Sequence, residues 1–295
     1  VPDRTWKDLN EEEAAQVVLS GGGLAIEGLA GCGKTYWVKQ IIQKLRDSGK
    51  RVQCVAKTHI AALLLSGSTA NHFCFKNIQY GQFKNDVLVI DEFSQIDLPI
   101  WSHLQKLKHM GTTFICLGSW ELQFGPIGGH TWAGELLQDD VVQRSHLLQI
   151  LCDNHRLRLT EPRRSDVQLF DYYSSLVPGG LRDRVPLPEL LEEARRLFPV
   201  QPGFPELSLC ISHKLRRSIN KRQNALAPPD ALRLQTADGE MLLHVGLRLC
   251  FSGEKAHGCV NGGVYVVREV GEEVHLECEI SGRPVQVPLN FIKLG

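Results

Sequence analysis

Residues 28 to 35 read Gly-Leu-Ala-Gly-Cys-Gly-Lys-Thr, an unbroken match to the phosphate-loop pattern G-x-x-x-x-G-K-[ST]. Gly28, Gly31 and Gly33 lack a Cβ, so the backbone can take left-handed dihedrals and turn its N–H groups toward bound phosphates. Lys34 can reach the β- and γ-phosphates as a point charge, and the Thr35 hydroxyl can ligate Mg²⁺. Gly31, Cys32, Gly33, Lys34 and Thr35 are therefore the expected nucleotide-binding set, with Cys32 read as a small filler rather than an oxidation-sensitive thiol. Farther along, Val87-Leu88-Val89-Ile90 runs into Asp91-Glu92, two acids at the end of an apolar strand. In a nucleotide hydrolase the first such acid holds Mg²⁺, usually through water, and the second polarises the attacking water.

These groups need a scaffold, and the surrounding pattern supplies one. Leu24–Glu27 predicts a short strand entering the loop, and Trp37, Val38, Ile41, Ile42 and Leu45 fall on one helical face after it, with Gly49 as the stop. Val52–Ala56, Val87–Ile90 and Thr113–Leu117 predict further strands separated by helices, which implies a parallel sheet covered on both faces. Residues 178–205 read as a proline-rich connector carrying a charged helix at 188–197. Leu207–Ser212 reads as another buried strand, followed by a helix through about Asn224. From Ala231 the pattern changes to short strands at 247–251, 263–270, 274–280 and 284–289, as in a small antiparallel β module.

Composition narrows the class. A chain of 295 residues with 43% hydrophobic and 22% charged content fits a globular protein of two domains, and no apolar run reaches the ~18 residues of a membrane span. The opening Val-Pro-Asp-Arg-Thr-Trp has no signal-peptide core, and nine scattered cysteines without a C-x-x-C pair predict reduced thiols, no zinc and an intracellular setting. Formal net charge is zero, so a nucleic-acid partner is not announced globally. The clusters Arg156, Arg158, Arg163, Arg164 and Lys214, Arg216, Arg217, Lys221, Arg222 fit a solvated face and a basic groove equally well.

Several runs, in order, are similar to the motifs of superfamily 1 helicases of the RecD/Pif branch. Asp91-Glu92-Phe93-Ser94-Gln95 resembles D-E-[IF]-S-M, and Leu9 through Gln16 resembles the segment before the loop, where a glutamine reads adenine. Lys57-Thr58-His59-Ile60-Ala61-Ala62 resembles A-x-T-x-x-A-A, and Thr69-Ala70-Asn71-His72-Phe73 resembles T-x-H-S-F beside the single-strand path. Gly118–Ile127 is similar to G-D-x-x-Q-L-P-P-V, with Gln123 as the γ-phosphate sensor, and Leu159–Ser165 to L-T-x-x-[FY]-R-[QS], with Arg164 as the arginine finger. Val260-Asn261-Gly262-Gly263-Val264 resembles the entry to a small β-barrel inserted in the second RecA-like domain.

The resemblance implies tandem RecA-like α/β domains, the second incomplete, with boundaries at 1–150, 151–245 and 246–295. It implies ATP and Mg²⁺ as cofactors, single-stranded DNA or a forked duplex as partner, no membrane, and 5′-to-3′ translocation with unwinding. Catalysis falls to Lys34, Asp91, Glu92, Gln123 and Arg164, adenine contact to Gln16, and DNA contact to Thr58, His59, Thr69 and His72. His72, Phe73 and Phe75 are candidate base-stacking platforms, with burial in the core as the alternative fate of the two phenylalanines. Arg164 is expected to draw the second domain closed over bound ATP. The location implied is nucleus, cytoplasm or a viral replication site. Ser119 stands where the family has an acid, one extra residue precedes Gln123, and Arg163 replaces an aromatic, leaving Arg163 and Arg164 able to exchange roles. The chain stops at Gly295, before the family's T-x-H-K-x-Q-G and Y-V-A-[LI]-S-R motifs, so it reads as a segment of a longer protein. Two other classes remain open: a P-loop ATPase acting on protein, and a nucleotide-binding remnant without catalysis.

Overall fold

The computed structural model describes residues 5–78, 83–121, 123–200, 202–203, 205, 208–210, 212–236, 239–252 and 256–294. It forms two compact units, Val1–Leu190 and Leu191–Gly295. The first unit begins with β1 (Lys7–Leu9), α1 (Glu11–Leu19), β2 (Leu24–Glu27), α2 (Lys34–Asp47) and β3 (Val52–Ala56). Next come α3 (His59–Leu64), β4 (Ser68–Thr69), α4 (Ala70–Phe73), a π-helical turn at Cys74–Ile78, and β5 (Val87–Asp91). A 3₁₀ turn at Phe93–Gln95 leads to α5 (Leu98–Leu104), α6 (Lys106–His109) and β6 (Thr113–Gly118). A small hairpin of β7 (Thr131–Trp132) and β8 (Glu135–Leu136) precedes α7 (Val141–Arg144), α8 (Leu147–Leu151), β9 (His155–Arg158) and α9 (Val167–Ser174).

Seven strands form one sheet in the order β1-β9-β2-β6-β5-β3-β4, and every neighbouring pair is parallel. Alternation sorts its residues to two cores. Leu24, Ile26, Val87, Val89, Ile115 and Leu117 pack with Trp37, Val38, Ile41, Ile42 and Leu45 of α2. Ala25, Leu88, Ile90, Phe114 and Cys116 pack on the other face with Ile100, Trp101 and Leu104 of α5. A period of two, buried on both sides, is what a helix-covered parallel sheet requires. α1 starts with a capping box: Asn10 Oδ1 accepts from the Glu13 N–H at 2.9 Å, and Glu13 Oε2 accepts from the Asn10 N–H at 3.1 Å.

The strands expected at 24–27, 52–56, 87–90 and 113–117 form, but the sheet also takes in β1, β4 and β9, which the pattern does not reveal. In β9 only Leu157 is buried, so there is no alternation to read. Arg156 holds this edge instead: its guanidinium pairs with Asp8 at 2.7 Å and Glu27 at 3.4 Å and lies 5.2 Å from the Trp6 ring centroid. The first unit therefore extends past the expected boundary at residue 150, to Leu190. Of the first basic cluster, Arg156 is spent on this edge and Arg163 pairs with Glu161.

α10 (Leu187–Leu197) crosses from the first unit's sequence into the second's. The second unit continues with α11 (His213–Asn224), the antiparallel hairpin β10 (Leu232–Thr236) and β11 (Gly239–Leu243), and β12 (Arg248–Cys250). It ends with β13 (Val264–Val270), β14 (Glu273–Cys278), β15 (Pro284–Pro288) and α12 (Leu289–Leu294). β12 through β15 form an antiparallel sheet in sequence order, the small β module expected there. Its core is Tyr265, Val267, Val274, Leu276, Cys278 and Val287. The strand expected at 207–212 does not form in its described residues: Ser208–Cys210 are irregular and Leu209 is 93% exposed, while Leu207 and Ile211 lie outside the described residues. All nine cysteines are free.

Leu88 is fully buried in the middle of the sheet. Leu88→Ala should lower stability by ~2–5 kcal/mol, as large-to-small core changes do. A urea titration followed by tryptophan fluorescence checks this.

Candidate nucleotide site at the carboxyl edge of the sheet

In the first unit the motif-bearing segments leave the carboxyl ends of parallel strands, where open α/β sheets place their ligands. Across the sheet they run from residues 159–164 after β9, through the phosphate loop after β2 and Ser119–Gln123 after β6, to Asp91-Glu92 at β5. Thr58-His59 after β3 and Thr69–His72 around β4 complete the row.

The loop is bent by Gly31 and Gly33, at φ +86° and +87°, and Gly33 caps α2. Lys34 Nζ lies back along it, donating to the carbonyls of Gly28 at 2.5 Å and Leu29 at 2.9 Å. Burial pulls the Lys34 ammonium below its usual range, while Cys32, Asp91 and Glu92 push it back up and Arg164 lowers it further. Burial raises the Cys32 thiol, which keeps it protonated, as a filler should be. Thr35 opens the first turn of α2 and is half-buried.

The acidic pair lies beside this cation, Asp91 buried and Glu92 half-buried. Asp91 is only 6% exposed, and its Oδ1 accepts from the Glu92 N–H at 2.9 Å. Burial pushes the Asp91 carboxyl up, opposed by that hydrogen bond and by Lys34. Burial also raises Glu92, the Asp91 charge adds to the rise, and Lys34 opposes it. Glu92 is held at φ +54°, a costly backbone for a residue with a side chain, and its Oε2 is buried without a hydrogen-bond partner among the described residues.

Gln123 is brought to the acids despite the extra residue before it. Its Oε1 accepts from the Ser119 N–H at 2.8 Å and from Ser94 Oγ at 3.3 Å, within the turn that follows Glu92. Ser119 thus contributes a backbone donor where the family has an acid. The Phe93 and Trp120 rings, 4.9 Å apart, pack beside it.

Arg164 sits elsewhere than expected. It belongs to the first unit, and a Cβ built on Gly31 would meet Arg164 Cβ at 3.2 Å. The expectation that it opens a second domain and draws that domain closed is corrected: β9 carries the chain back beside β2, so the arginine segment lies on the phosphate loop of its own unit. Leu159 N–H donates to Glu27 O and Arg163 N–H to Gly31 O, both at 2.9 Å, and Tyr173 Oη donates to Ala30 O at 2.7 Å. The Arg163 guanidinium pairs with Glu161 at 2.8 Å, whereas the Arg164 charge is felt by Lys34.

Gln16 is exposed on α1 and lines a groove with Lys7, Leu9, Glu13, Val17 and Ser20, none of them loop residues. Thr58 and Thr69 cap α3 and α4, accepting from the Ala61 N–H at 3.2 Å and the His72 N–H at 3.4 Å. His59 and His72 are exposed, and Phe75 is 58% exposed. Phe73 is a core residue, edge-on to Phe83 at 5.6 Å, so it offers no stacking face. The sequence pattern gives no hint of Tyr173, which lies outside any motif and acts through a single contact, and it marks Ser94 and Ser119 only as motif members, not as the partners of Gln123.

Residues 9–107 match the model of the PIF1-like helicase family. The ATP-dependent DNA helicase PIF1 of Trypanosoma brucei brucei is 26% identical over 244 residues, which is 79% of this chain and 25% of that protein. This chain thus spans about a quarter of that relative's length. The crystal structure of Pif1 helicase from Candida albicans superposes with a TM-score of 0.64 at 20% identity, covering 94% of this chain and 77% of the other. Bacteroides Pif1 bound to single-stranded DNA superposes with a TM-score of 0.60 at 16% identity, over 94% and 72% of the two chains. The first unit is a P-loop domain of RecA-like fold, and the resemblance to the RecD/Pif branch of superfamily 1 is borne out.

The acids carry a stability consequence. Burial raises both carboxyls, so the folded state holds their protons more tightly than the unfolded chain, and the charged forms destabilise the fold above the folded pKa values. That cost disappears as pH falls through them. Glu92→Gln should therefore raise the thermal midpoint of the nucleotide-free protein at neutral pH, measured by scanning calorimetry; a lower midpoint would contradict the burial argument.

Proposed function

We propose that this chain binds and hydrolyses ATP with Mg²⁺ as part of a DNA helicase that moves 5′ to 3′ on single-stranded DNA, with single strands or forked duplexes as partners. The observation that carries the reading is the meeting of Lys34 with the buried Asp91 and the half-buried Glu92, under a loop covered by the segment of Arg164. A remnant without catalysis would have no reason to retain a strained Glu92 with a buried, unpartnered oxygen. The names and partners of the relatives, ATP-dependent helicases and a Pif1 bound to single-stranded DNA, support the same reading. Polarity rests on the resemblance to the RecD/Pif branch.

The donors fit magnesium. Thr35 and Asp91 offer hard oxygens, and Glu92 Oε2 lacks a protein partner. Among the described residues no cluster of three or more His, Cys, Asp or Glu forms a ready metal cage. Magnesium in nucleotide sites needs only one or two protein oxygens together with phosphates and water. When bound, it neutralises phosphate charge and orients the γ-phosphoryl group.

The chain's own residues do the rest. Lys34 exchanges the Gly28 and Leu29 carbonyls for phosphate oxygens, so its charge moves a short way onto the substrate. Glu92 accepts a hydrogen bond from the attacking water through its orphaned oxygen. Gln123, its carbonyl oxygen fixed by Ser119 and Ser94, directs its amide N–H₂ to the γ-phosphate. Arg164 stabilises charge in the transition state from within the same unit. At the far end of the row, His59, His72 and the capped hydroxyls of Thr58 and Thr69 meet the nucleic acid, and Phe75 offers a stacking surface. A DNA partner sets the location: an intracellular compartment or a viral replication site.

ATP turnover with and without single-stranded DNA tests the proposal, and stimulation by DNA is the expected result. Stimulation by a protein alone would assign the site to another ATPase class. Lys34→Ala should abolish turnover and weaken nucleotide binding. Arg164→Ala should leave binding intact and cut turnover by ~10³–10⁵, the range for arginine fingers. Arg163→Ala should cost far less; the reverse ranking would move the finger by one residue.

A further inference from the structure

A backbone that turns its N–H groups toward an anion turns carbonyls away from it, and those carbonyls need donors of their own. On the phosphate loop the donors for Glu27, Ala30 and Gly31 come from residues 159–173, outside the motif. Two of the three are backbone N–H groups. The third is a side chain, the hydroxyl of Tyr173, 2.7 Å from the Ala30 carbonyl oxygen.

Tyr173 is well placed to hold that carbonyl still. It sits on α9, whose first turn is capped by Asp166 Oδ1 accepting from the Leu169 N–H at 2.8 Å. Its ring lies edge-on to Phe170, 5.2 Å between centroids, and Phe170 is buried. Gly31 is wedged between this hydroxyl and Arg164: a Cβ there would lie 3.5 Å from Tyr173 Oη and 3.2 Å from Arg164 Cβ. Only one residue separates Arg164 from the cap of the helix that bears Tyr173. Loop, arginine and helix are therefore linked by one short path.

We infer that Tyr173 is a positioning residue for the nucleotide: its hydroxyl, by holding the Ala30 carbonyl, keeps the phosphate loop in its anion-facing conformation. This rests on the nucleotide site proposed above. Tyr173 touches no phosphate. It acts by removing a conformational choice from Ala30 and Gly31 before the ligand arrives, so its effect falls on ground-state affinity rather than on the chemical step.

The neighbouring tyrosine provides an internal control. Tyr172 also spends its hydroxyl on a carbonyl, that of Leu190 at 2.6 Å, and its ring is covered by the Arg182 guanidinium at 5.0 Å, away from the loop. The full chain is titrated with a fluorescent ATP analogue and Mg²⁺, and ATP turnover and thermal midpoint are recorded for each variant. Tyr173→Phe should raise the Kd and KM for ATP about 3- to 10-fold, the net effect of one hydrogen bond, with kcat within about twofold of the parent. Tyr172→Phe should leave nucleotide affinity unchanged even where it lowers the thermal midpoint. Equal affinity in Tyr173→Phe and the parent overturns the inference, as does an equal loss in both variants, which would mark a merely structural effect. A fall in kcat with affinity preserved also overturns it. Lys34→Ala is run alongside: if it binds the analogue as tightly as the parent, the nucleotide site itself is misassigned, a failure distinguishable from that of Tyr173.

Discussion

A phosphate cradle imposes an accounting on the backbone that forms it. The peptides from Glu27 to Gly31 can aim N–H groups at an anion only if their carbonyls find donors, because buried carbonyls are rarely left unpaired. Donors from residues 159–173 meet three of them: Leu159 serves Glu27, Tyr173 serves Ala30 and Arg163 serves Gly31, while Lys34 donates to Gly28 and Leu29. Three of these donors lie more than a hundred residues away in sequence. The close approach is steric as well, since a Cβ on Gly28 would run into the Leu159 carbonyl oxygen. The loop and the arginine segment are thus one object, and β9 lies beside β2 to make it so.

The acids answer to a second constraint. Asp91 and Glu92 stand in low-dielectric surroundings where their charges are disfavoured, and Lys34 is the cation that offsets part of this cost. A group kept buried and unpartnered, on a left-handed backbone, is a liability for folding and an asset for chemistry. The sheet anchors it on both sides: β5 is buried along all five residues, and Phe93, next after Glu92, is a core residue.

Sheet order then decides what can communicate with what. The strand carrying the acids is not next to the strand carrying the loop; β6 lies between them and brings Gln123 into the gap. On the other side of β5, β3 and β4 set Thr58, His59, Thr69 and His72 progressively farther from the phosphates. Gln123 is joined through Ser94 to the turn after Glu92, and so to the strand neighbouring β3. This is a contiguous path of packed and hydrogen-bonded groups, the physical minimum for coupling between the two ends of the row.

Much of this was legible in the residues alone. The loop, the acid pair and the four apolar strands announce themselves because their chemistry is local: glycines that bend, a lysine at fixed spacing, alternation that survives in any context. The runs around Gln123 and Arg164 were legible as motifs, but not their places. Whether Arg164 faced the loop of its own unit or of another depended on β9, a strand with one buried apolar residue, held by Arg156 to Asp8 and Glu27 across the fold. Ion pairs between distant segments leave no periodicity. Likewise nothing marks Tyr173 off from Tyr172: the pair are adjacent, alike in chemistry, and one turns to the phosphate loop while the other turns to α10. Local pattern assigns residues to elements; only long-range packing assigns a hydroxyl to its carbonyl.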